Sequence, residues 1–282
     1  MLDSCKSINL GGKLLDVTTP IVMGIINLTP DSFYESSRKN SIVDTIKHVE
    51  KMVSEGAEII DCGAFSSKPG VELIDVEEEW RRLETTLIQI RKTFPEINLS
   101  LDTYRSEIVR RAKENADIQI VNDISGGAWD STMFSTVAQL KVAYVLMHIQ
   151  GKPNTMQQMP HYENITSEII LSLSEKIFEL KLMGVCDIIV DPGFGFGKSL
   201  DHNYELLNRM GDFRSFELPV LVGFSRKSMI YNLLDTTPEF ALNGTSALHM
   251  LALQNGAKIL RVHDVKEAVE CVKIYNKFTQ FN

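Results

Sequence analysis

Short apolar runs rich in valine and isoleucine recur along the chain, separated by longer stretches of helical period. The runs predict eight strands, at Ile21–Ile26, Glu58–Cys62, Asn98–Leu101, Gln119–Asn122, Ala143–Met147, Asp187–Val190, Val220–Gly223 and Lys258–Val262. Between them the amphipathic stretches predict helices, among them Ser41–Ser54, Val76–Lys92, Arg105–Asn115, Ser167–Met183, Asn203–Met210 and Ala247–Gln254. Strands apolar on both faces that alternate with helices belong to a parallel sheet. Eight such units in one chain point to an α/β fold of the (β/α)8 TIM barrel type. Ahead of the first run, Gly11-Gly12 marks the turn of a short N-terminal β-hairpin. No linker, low-complexity segment or internal repeat divides the sequence, so residues 1–282 read as one barrel domain.

The ends of the predicted strands carry polar residues: Asn27, Asp61, Asp102, Asn122-Asp123, His148, Asp191, Ser225-Arg226-Lys227 and Arg261-Val262-His263. Loops are wet, and any one of these alone would mean little. In a barrel, however, all eight ends converge on one mouth, where active sites sit. Eight polar ends in register mark a site.

Gross composition narrows the choice of function. The chain has 282 residues, 44% hydrophobic and 23% charged, as in ordinary soluble globular proteins. A formal charge of −8 argues against a nucleic-acid partner, which calls for a basic face, but allows a local cationic pocket. No run approaches membrane-spanning length and the start has no signal-peptide pattern, so a cytoplasmic enzyme is the expectation. Cys5, Cys62, Cys186 and Cys271 form no C-x-x-C pair, and Cys62 and Cys186 lie in or beside apolar runs, which predicts buried free thiols.

The stretch Asp191-Pro192-Gly193-Phe194-Gly195-Phe196-Gly197-Lys198-Ser199 ends like a phosphate-binding loop. A Walker A loop needs a glycine five residues before Gly197, and Pro192 stands there without an N–H to offer. The spacing also fails the G-x-G-x-x-G dinucleotide pattern. What remains is a carboxylate at a strand end and a lean loop whose Phe194 and Phe196 can pack against a flat ligand. That reading gives Lys198 no assigned role. The six histidines are scattered, which disfavours a structural zinc site. Asn27 and Asp31 could hold a hard cation only with substrate oxygens completing its shell, the habit of Mg²⁺. No G-x-S-x-G turn supports a serine nucleophile.

The cationic groups cluster after strands seven and eight, the usual phosphate position in a barrel. Arg261 and His263 are two residues apart and can face the same side, and Arg226 and Lys227 lie in the preceding loop. Arg226 and Arg261 could instead pair with acids around the rim. Asp102, Asn122 and Asp191 supply donors and acceptors for a flat, NH-rich heterocycle. An anion pocket beside a heterocycle pocket suits a substrate that carries both.

Eight motifs, MGIINLTPDSF (23–33), SLDTYR (100–105), NDISGG (122–127), LMHIQGKPNTMQ (146–157), DPGFGFGK (191–198), GFSRKSMI (223–230), GTSALHMLAL (244–253) and RVHDVKE (261–267), closely resemble those of dihydropteroate synthases, in order and over nearly the whole chain. The resemblance implies a folate-pathway transferase that joins 6-hydroxymethyl-7,8-dihydropterin diphosphate to p-aminobenzoate, releasing pyrophosphate, with Mg²⁺ and as a homodimer. It implies a pterin site at Asp102, Asn122, Asp191, Lys227, Met147 and Gly223, with Asp102, Lys227 and Arg261 catalytic. It also implies a diphosphate site at Asn27, Arg261 and His263, Asn27 serving the metal. The p-aminobenzoate pocket would comprise Ser67, Lys68, Pro69, Phe196, Lys227, Ser228 and Phe33.

Two loops depart from the family pattern. After MGIINLTPDSF the chain has Tyr34-Glu35-Ser36-Ser37 in place of Ser-Asp-Gly-Gly, and the second loop carries Phe65 and Lys68 where Glu and Arg are usual. Lys68 keeps the charge but loses the guanidinium fork. Two rivals share the barrel. A pterin-binding methyltransferase domain would have no use for the SRKS and RVH cations. A catalytically silent pterin binder would lack the diphosphate residues, and Asn27, Arg261 and His263 are all present.

Overall fold

A computed structural model describes residues 6–28, 38–64, 74–151 and 160–281. The hairpin pairs β1 (Ser7–Leu10) with β2 (Lys13–Asp16), Leu10 facing Lys13 across the Gly11-Gly12 turn. The barrel then begins with β3 (Ile21–Asn27), α1 (Arg38–Glu55), β4 (Ile59–Gly63), α2 (Val76–Thr93), β5 (Asn98–Asp102) and α3 (Ser106–Ala116). It continues through β6 (Ile120–Asp123), α4 (Met133–Leu140), β7 (Ala143–Met147), α5 (Ile165–Leu182), β8 (Ile188–Asp191) and α6 (Leu200–Asn208). The last units are β9 (Val220–Val222), the short α7 (Ser228–Tyr231), α8 (Leu242–Gln254), β10 (Ala257–Val262) and α9 (Val265–Thr279). Strands β3 to β10 close into a parallel barrel, β10 returning to β3.

Inward-facing residues recur every second position along each strand. Ile21 and Met23 of β3, Ile59, Ile120, Val145, Ile189, Leu221 and Ile259 form one buried cluster, joined at the N-terminal end by Ile8, Leu10 and Val17. The hairpin is pinned there: the Asn9 N–H donates to Asp187 Oδ1 at 2.7 Å and Lys258 Nζ to the Thr18 carbonyl at 2.7 Å. Two residues beyond Ile59, Ile120, Val145, Ile189, Leu221 and Ile259 come Asp61, Asn122, Met147, Asp191, Gly223 and Arg261. The apolar plug thus gives way to polar groups within one step of the pleat, which brings the site residues together at the C-terminal mouth. A larger cluster lies between strands and helices, with Leu83, Leu87 and Ile90 of α2 and Leu173 and Leu180 of α5 fully buried.

Several boundaries differ from the sequence reading for local reasons. Asp102, Asp123 and Asp191 belong to their strands because the parallel ladder continues through Asp102–Asn122 and Met147–Asp191. Helix α6 starts earlier than expected because Ser199 caps it, its Oγ accepting from the His202 N–H at 3.1 Å. Cys62 is a buried free thiol as expected and Cys271 is buried too, whereas Cys186, also expected to be buried, is exposed because the chain leaves α5 through a surface turn there. Cys5 lies outside the described residues.

His249 of α8 is buried at 2% exposure beside Phe224, ring centroids 5.3 Å apart, and neither ring nitrogen has a hydrogen-bond partner among the described residues. Burial pushes its pKa down to about 4, with Asp264 opposing. Because the unfolded chain binds this proton near pH 6.5 and the folded chain does not, the stability it contributes is complete above that value and drains as pH falls towards 4. At full development the linkage amounts to about 3 kcal/mol. Urea midpoints measured from pH 7 to pH 4 should fall less steeply for His249→Leu than for the wild type. Equal slopes would contradict the account.

Candidate active site

Arg261 organises the mouth. It leaves β10 inward, and its Nε donates to Asp61 Oδ2 at 2.6 Å while its Nη2 donates to Asp102 Oδ2 at 2.6 Å. Asp61 is fully buried on β4 and takes two further bonds, from Ser100 Oγ at 2.6 Å and Asn122 Nδ2 at 3.0 Å. One carboxylate therefore ties β4, β5, β6 and β10 together beneath the mouth. Gly223 lies beside Arg261, and a Cβ there would only touch the Arg261 Cβ and Cδ in ordinary contact at 3.8 Å.

The second oxygen of Asp102 is different. Oδ1 is buried and has no hydrogen-bond partner among the described residues, so the site offers a bare acceptor. Burial raises the Asp102 pKa to about 7; Arg261 opposes the shift, and Asp61, Asp123 and Glu79 add to it. Arg261 itself resists desolvation because Asp61 and Asp102 hold the guanidinium charged, above its ordinary value. Asp191 is also raised by burial, against the pull of the Gly193 N–H, Lys227, Lys198 and Arg261. A buried acceptor without a partner among the described residues, with a second buried carboxyl group in the same mouth, suits an NH-rich ring, whose donors would complete the Asp102 oxygen and favour its ionised form.

The loop after β8 is shaped by contact rather than by phosphate. Gly193 runs at φ +73°, and a Cβ there would meet the His148 carbonyl at 1.9 Å; at Gly197, φ +59°, it would meet the Gln150 carbonyl at 2.5 Å. The loop thus lies flush on the chain leaving β7. Lys198 is buried beneath it at 3% exposure. Its Nζ donates to the carbonyls of Gly193 at 2.8 Å and Phe196 at 3.0 Å and lies 3.2 Å from His148 Nδ1. Burial lowers its pKa to about 7, partly restored by Asp191. The same burial, with Lys198 beside it, holds His148 far below its usual value, so its Nδ1 accepts. From the other side, Lys227 Nζ donates to the Phe194 carbonyl at 2.7 Å and stands 4.3 Å over the Phe196 ring. Burial lowers Lys227 to about 8, with Asp191 opposing.

Phe196 packs with Met147 and Ile124 into a small buried cluster at this end of the barrel. Phe194 does not join it as a ligand wall. It is buried in the main core, edge-to-face on Phe224 at 5.4 Å, because alternate residues of the loop point to opposite sides. Arg226 is likewise not a free cation of the mouth. It pairs with Asp264 through two bonds of 2.7 and 2.9 Å and donates to the Pro238 and Glu239 carbonyls, anchoring the loop after β9.

At the end of β10, the His263 N–H and Nδ1 approach Ser225 Oγ at 3.4 and 3.3 Å. Its pKa is lowered, by desolvation first and then by the cations Arg261, Arg226 and Lys227, so an arriving anion would raise it again. Asn27 is exposed at the end of β3, the strand beside β10, and Ser228 is exposed at the start of α7. Asp31, Phe33, Tyr34, Glu35, Ser36, Ser37, Phe65, Ser67, Lys68 and Pro69 lie outside the described residues.

Sequence reasoning marked Asp61 and His148 as strand ends without a role, did not single out Ser100, and left Lys198 undecided. The signal was the pleat: Asp61 and Ser100 are register partners on adjacent strands, and Ser100 stands two residues before Asp102 on the same strand.

A family model described as pterin binding enzyme matches residues 23–263. The chain is 41% identical over 265 residues to the dihydropteroate synthase of Escherichia coli K12, covering 93% of each chain. Among solved structures, Yersinia pestis dihydropteroate synthase in a sulfonamide drug complex superposes with a TM-score of 0.91 at 35% identity, covering 97% of this chain and 99% of that one. The Xanthomonas albilineans dihydropteroate synthase in complex with 7,8-dihydropteroate gives a TM-score of 0.85 at 33% identity, covering 97% and 98%.

The chain belongs to the dihydropteroate synthase family.

For a member of that family, the glycine loop has a clear physical consequence. Gly193→Ala must move the backbone against the His148 carbonyl, whereas at Gly184, φ +86°, a Cβ meets nothing within 4 Å. Gly184→Ala should cost about 1 kcal/mol of conformational strain and leave turnover intact. Gly193→Ala should cost more in thermal melts and lower turnover at least about tenfold, the factor that 1.4 kcal/mol of barrier supplies. Equal behaviour of the two variants would show that the loop's contact with His148 does not matter.

Proposed function

We infer that the chain, as a single pterin-binding barrel, condenses 6-hydroxymethyl-7,8-dihydropterin diphosphate with p-aminobenzoate to give 7,8-dihydropteroate and pyrophosphate, a step of folate biosynthesis. The observation that carries this reading is Arg261 bonded to Asp102 at 2.6 Å, which sets a permanent cation against the acceptor set at one mouth. A substrate with an NH-rich ring and a diphosphate needs both within reach.

We assign the pterin to Asp102, Asn122, Asp191, Met147 and Gly223, with Lys227 donating to the ring. Asp102, Lys227 and Arg261 carry the chemistry. The C–O bond to the diphosphate breaks with its electron pair leaving on oxygen, and Arg261 and His263 meet the charge that develops there. The methylene left on the pterin is electron-poor, and the Asp102 carboxylate stabilises the cationic ring. The arylamine, already a neutral nucleophile, attacks that carbon and then gives its proton to solvent, so no strong base is needed. Phe196, Lys227 and Ser228, with Phe33, Ser67, Lys68 and Pro69 from the first two loops, are proposed for p-aminobenzoate. Exclusion of water by those loops would protect the electrophile from hydrolysis.

Magnesium is part of the same proposal. No group of three or more His, Cys, Asp or Glu gathers as a metal cage among the described residues, and Asn27 offers an exposed amide. That donor set suits Mg²⁺, which keeps its waters and takes most of its other ligands from substrate phosphates. Asn27 would hold it, and the bound ion would neutralise charge on the leaving diphosphate. We propose a homodimer, supported by the exposed apolar side chains Leu251 of α8 and Ile274 and Phe278 of the adjoining α9. The partners are otherwise small molecules, without nucleic acid or membrane, in the cytoplasm; no helix among the described residues is long and apolar enough to cross a membrane.

Purified protein given the dihydropterin diphosphate, p-aminobenzoate and Mg²⁺ should release pyrophosphate only when p-aminobenzoate is present. Asp102→Ala should lower that rate by about a hundredfold or more, the scale of losing one preorganised charge partner. Cys62→Ala should lie close to wild type, because the Cys62 thiol is buried in the core behind the strands. Release independent of p-aminobenzoate, or equal rates for the two variants, would refute the reading.

A further inference from the structure

Asp61 has no exposed surface, so it lies beneath the pocket rather than in it. Its three donors are nevertheless the means by which the pocket is arranged. Oδ1 accepts from Ser100 Oγ at 2.6 Å, and Oδ2 accepts from Asn122 Nδ2 at 3.0 Å and Arg261 Nε at 2.6 Å. Because Oδ2 accepts two N–H groups, the Asn122 amide must turn its nitrogen, not its oxygen, towards Asp61. One amide hydrogen is consumed there. The remaining hydrogen and the whole carbonyl oxygen are left for a ligand.

We propose that Asp61 is the positioning residue that sets the pocket's specificity for an NH-rich heterocycle edge, by fixing the orientation of the Asn122 amide and the plane of Arg261. This rests on the pterin reading of the site. With the amide so held, its oxygen lies in the same acceptor set as Asp102 Oδ1, which is buried and unpartnered among the described residues. A ligand edge that donates more than it accepts is then favoured over one that accepts. Arg261, held through Nε by Asp61 and through Nη2 by Asp102, has both ends of its fork fixed before any ligand arrives. Without Asp61 the amide is free to flip, presenting donors to a donor edge, and Arg261 can swing about its one remaining carboxylate.

The test uses Asp61→Ala and Asp61→Asn in the full chain, each also combined with Asn122→Ala, with wild type assayed alongside. Asp61→Ala removes the acceptor, whereas an asparagine can turn its oxygen to Arg261 and Asn122 and its nitrogen to Ser100. Asp61→Ala should raise the KM for the dihydropterin diphosphate about tenfold or more and change that for p-aminobenzoate by less than about threefold, on the scale of one misdirected buried hydrogen bond. Asp61→Asn should rescue most of the pterin KM. In the Asn122→Ala background the effect of Asp61→Ala should shrink at least about threefold, leaving only the part that acts through Arg261. Both KM values rising together, full additivity with Asn122→Ala, or an Asn variant as impaired as the Ala variant would each overturn the proposal. Should Asp61→Ala not fold, as judged by thermal melts, the Asn variant still decides: a tenfold rise in its pterin KM overturns the assignment. Failure of the wild type to turn over would instead count against the proposed function, and so is distinguishable.

Discussion

Arg261 sits between two buried carboxylates, and the mouth of the barrel is organised around that bridge. A guanidinium in such a place resists deprotonation and presents a rigid fork, so it can satisfy two acids in fixed directions. The two acids are not equivalent. Asp61 has both oxygens engaged by protein donors, whereas Asp102 keeps one oxygen bare. The network is therefore half structural and half open to a ligand. Such partly satisfied burial costs stability and marks functional sites rather than cores.

A second constraint is the way the barrel carries positive charge into a desolvated loop. Lys198 below and Lys227 above hold the same glycine-rich segment by its carbonyls, with Asp191 as the shared counter-charge. Burial lowers both lysines towards neutrality, and the carbonyl dipoles let them remain there. The loop thereby keeps Phe196 and Asp191 in place with no room for side chains at Gly193 or Gly197. Lys198 ends a segment that looks like a phosphate loop, yet its ammonium faces inward to carbonyls and not outward to an anion.

Most of the architecture was legible in the chain. The eight strands, their order and the hairpin follow from apolar runs and one Gly-Gly turn, because burial on both faces leaves an uninterrupted pattern. The polar strand ends pointed to the mouth for the same reason. What the pattern could not carry were pairings between distant residues. Whether Arg226 or Arg261 faces the pocket depends on Asp264, thirty-eight residues away from one of them, and on Asp61, two hundred from the other. Phe194 and Phe196 are chemically alike in sequence, and only the turn geometry sends one to the core and the other to the mouth. Asp61 reads as one more acidic strand end until the closed barrel brings Ser100, Asn122 and Arg261 onto it.

The central claim is that one mouth reads the heterocycle with Asp102, Asn122 and Asp191 while Arg261 and His263 face the phosphates. Its most direct test is a crystal structure with 7,8-dihydropteroate and pyrophosphate bound. Ring N–H groups should lie within hydrogen-bond distance of Asp102 Oδ1 and the Asn122 oxygen, and phosphate oxygens on Arg261 and His263. A ring seated away from Asp102, or pyrophosphate held elsewhere in the molecule, would contradict it.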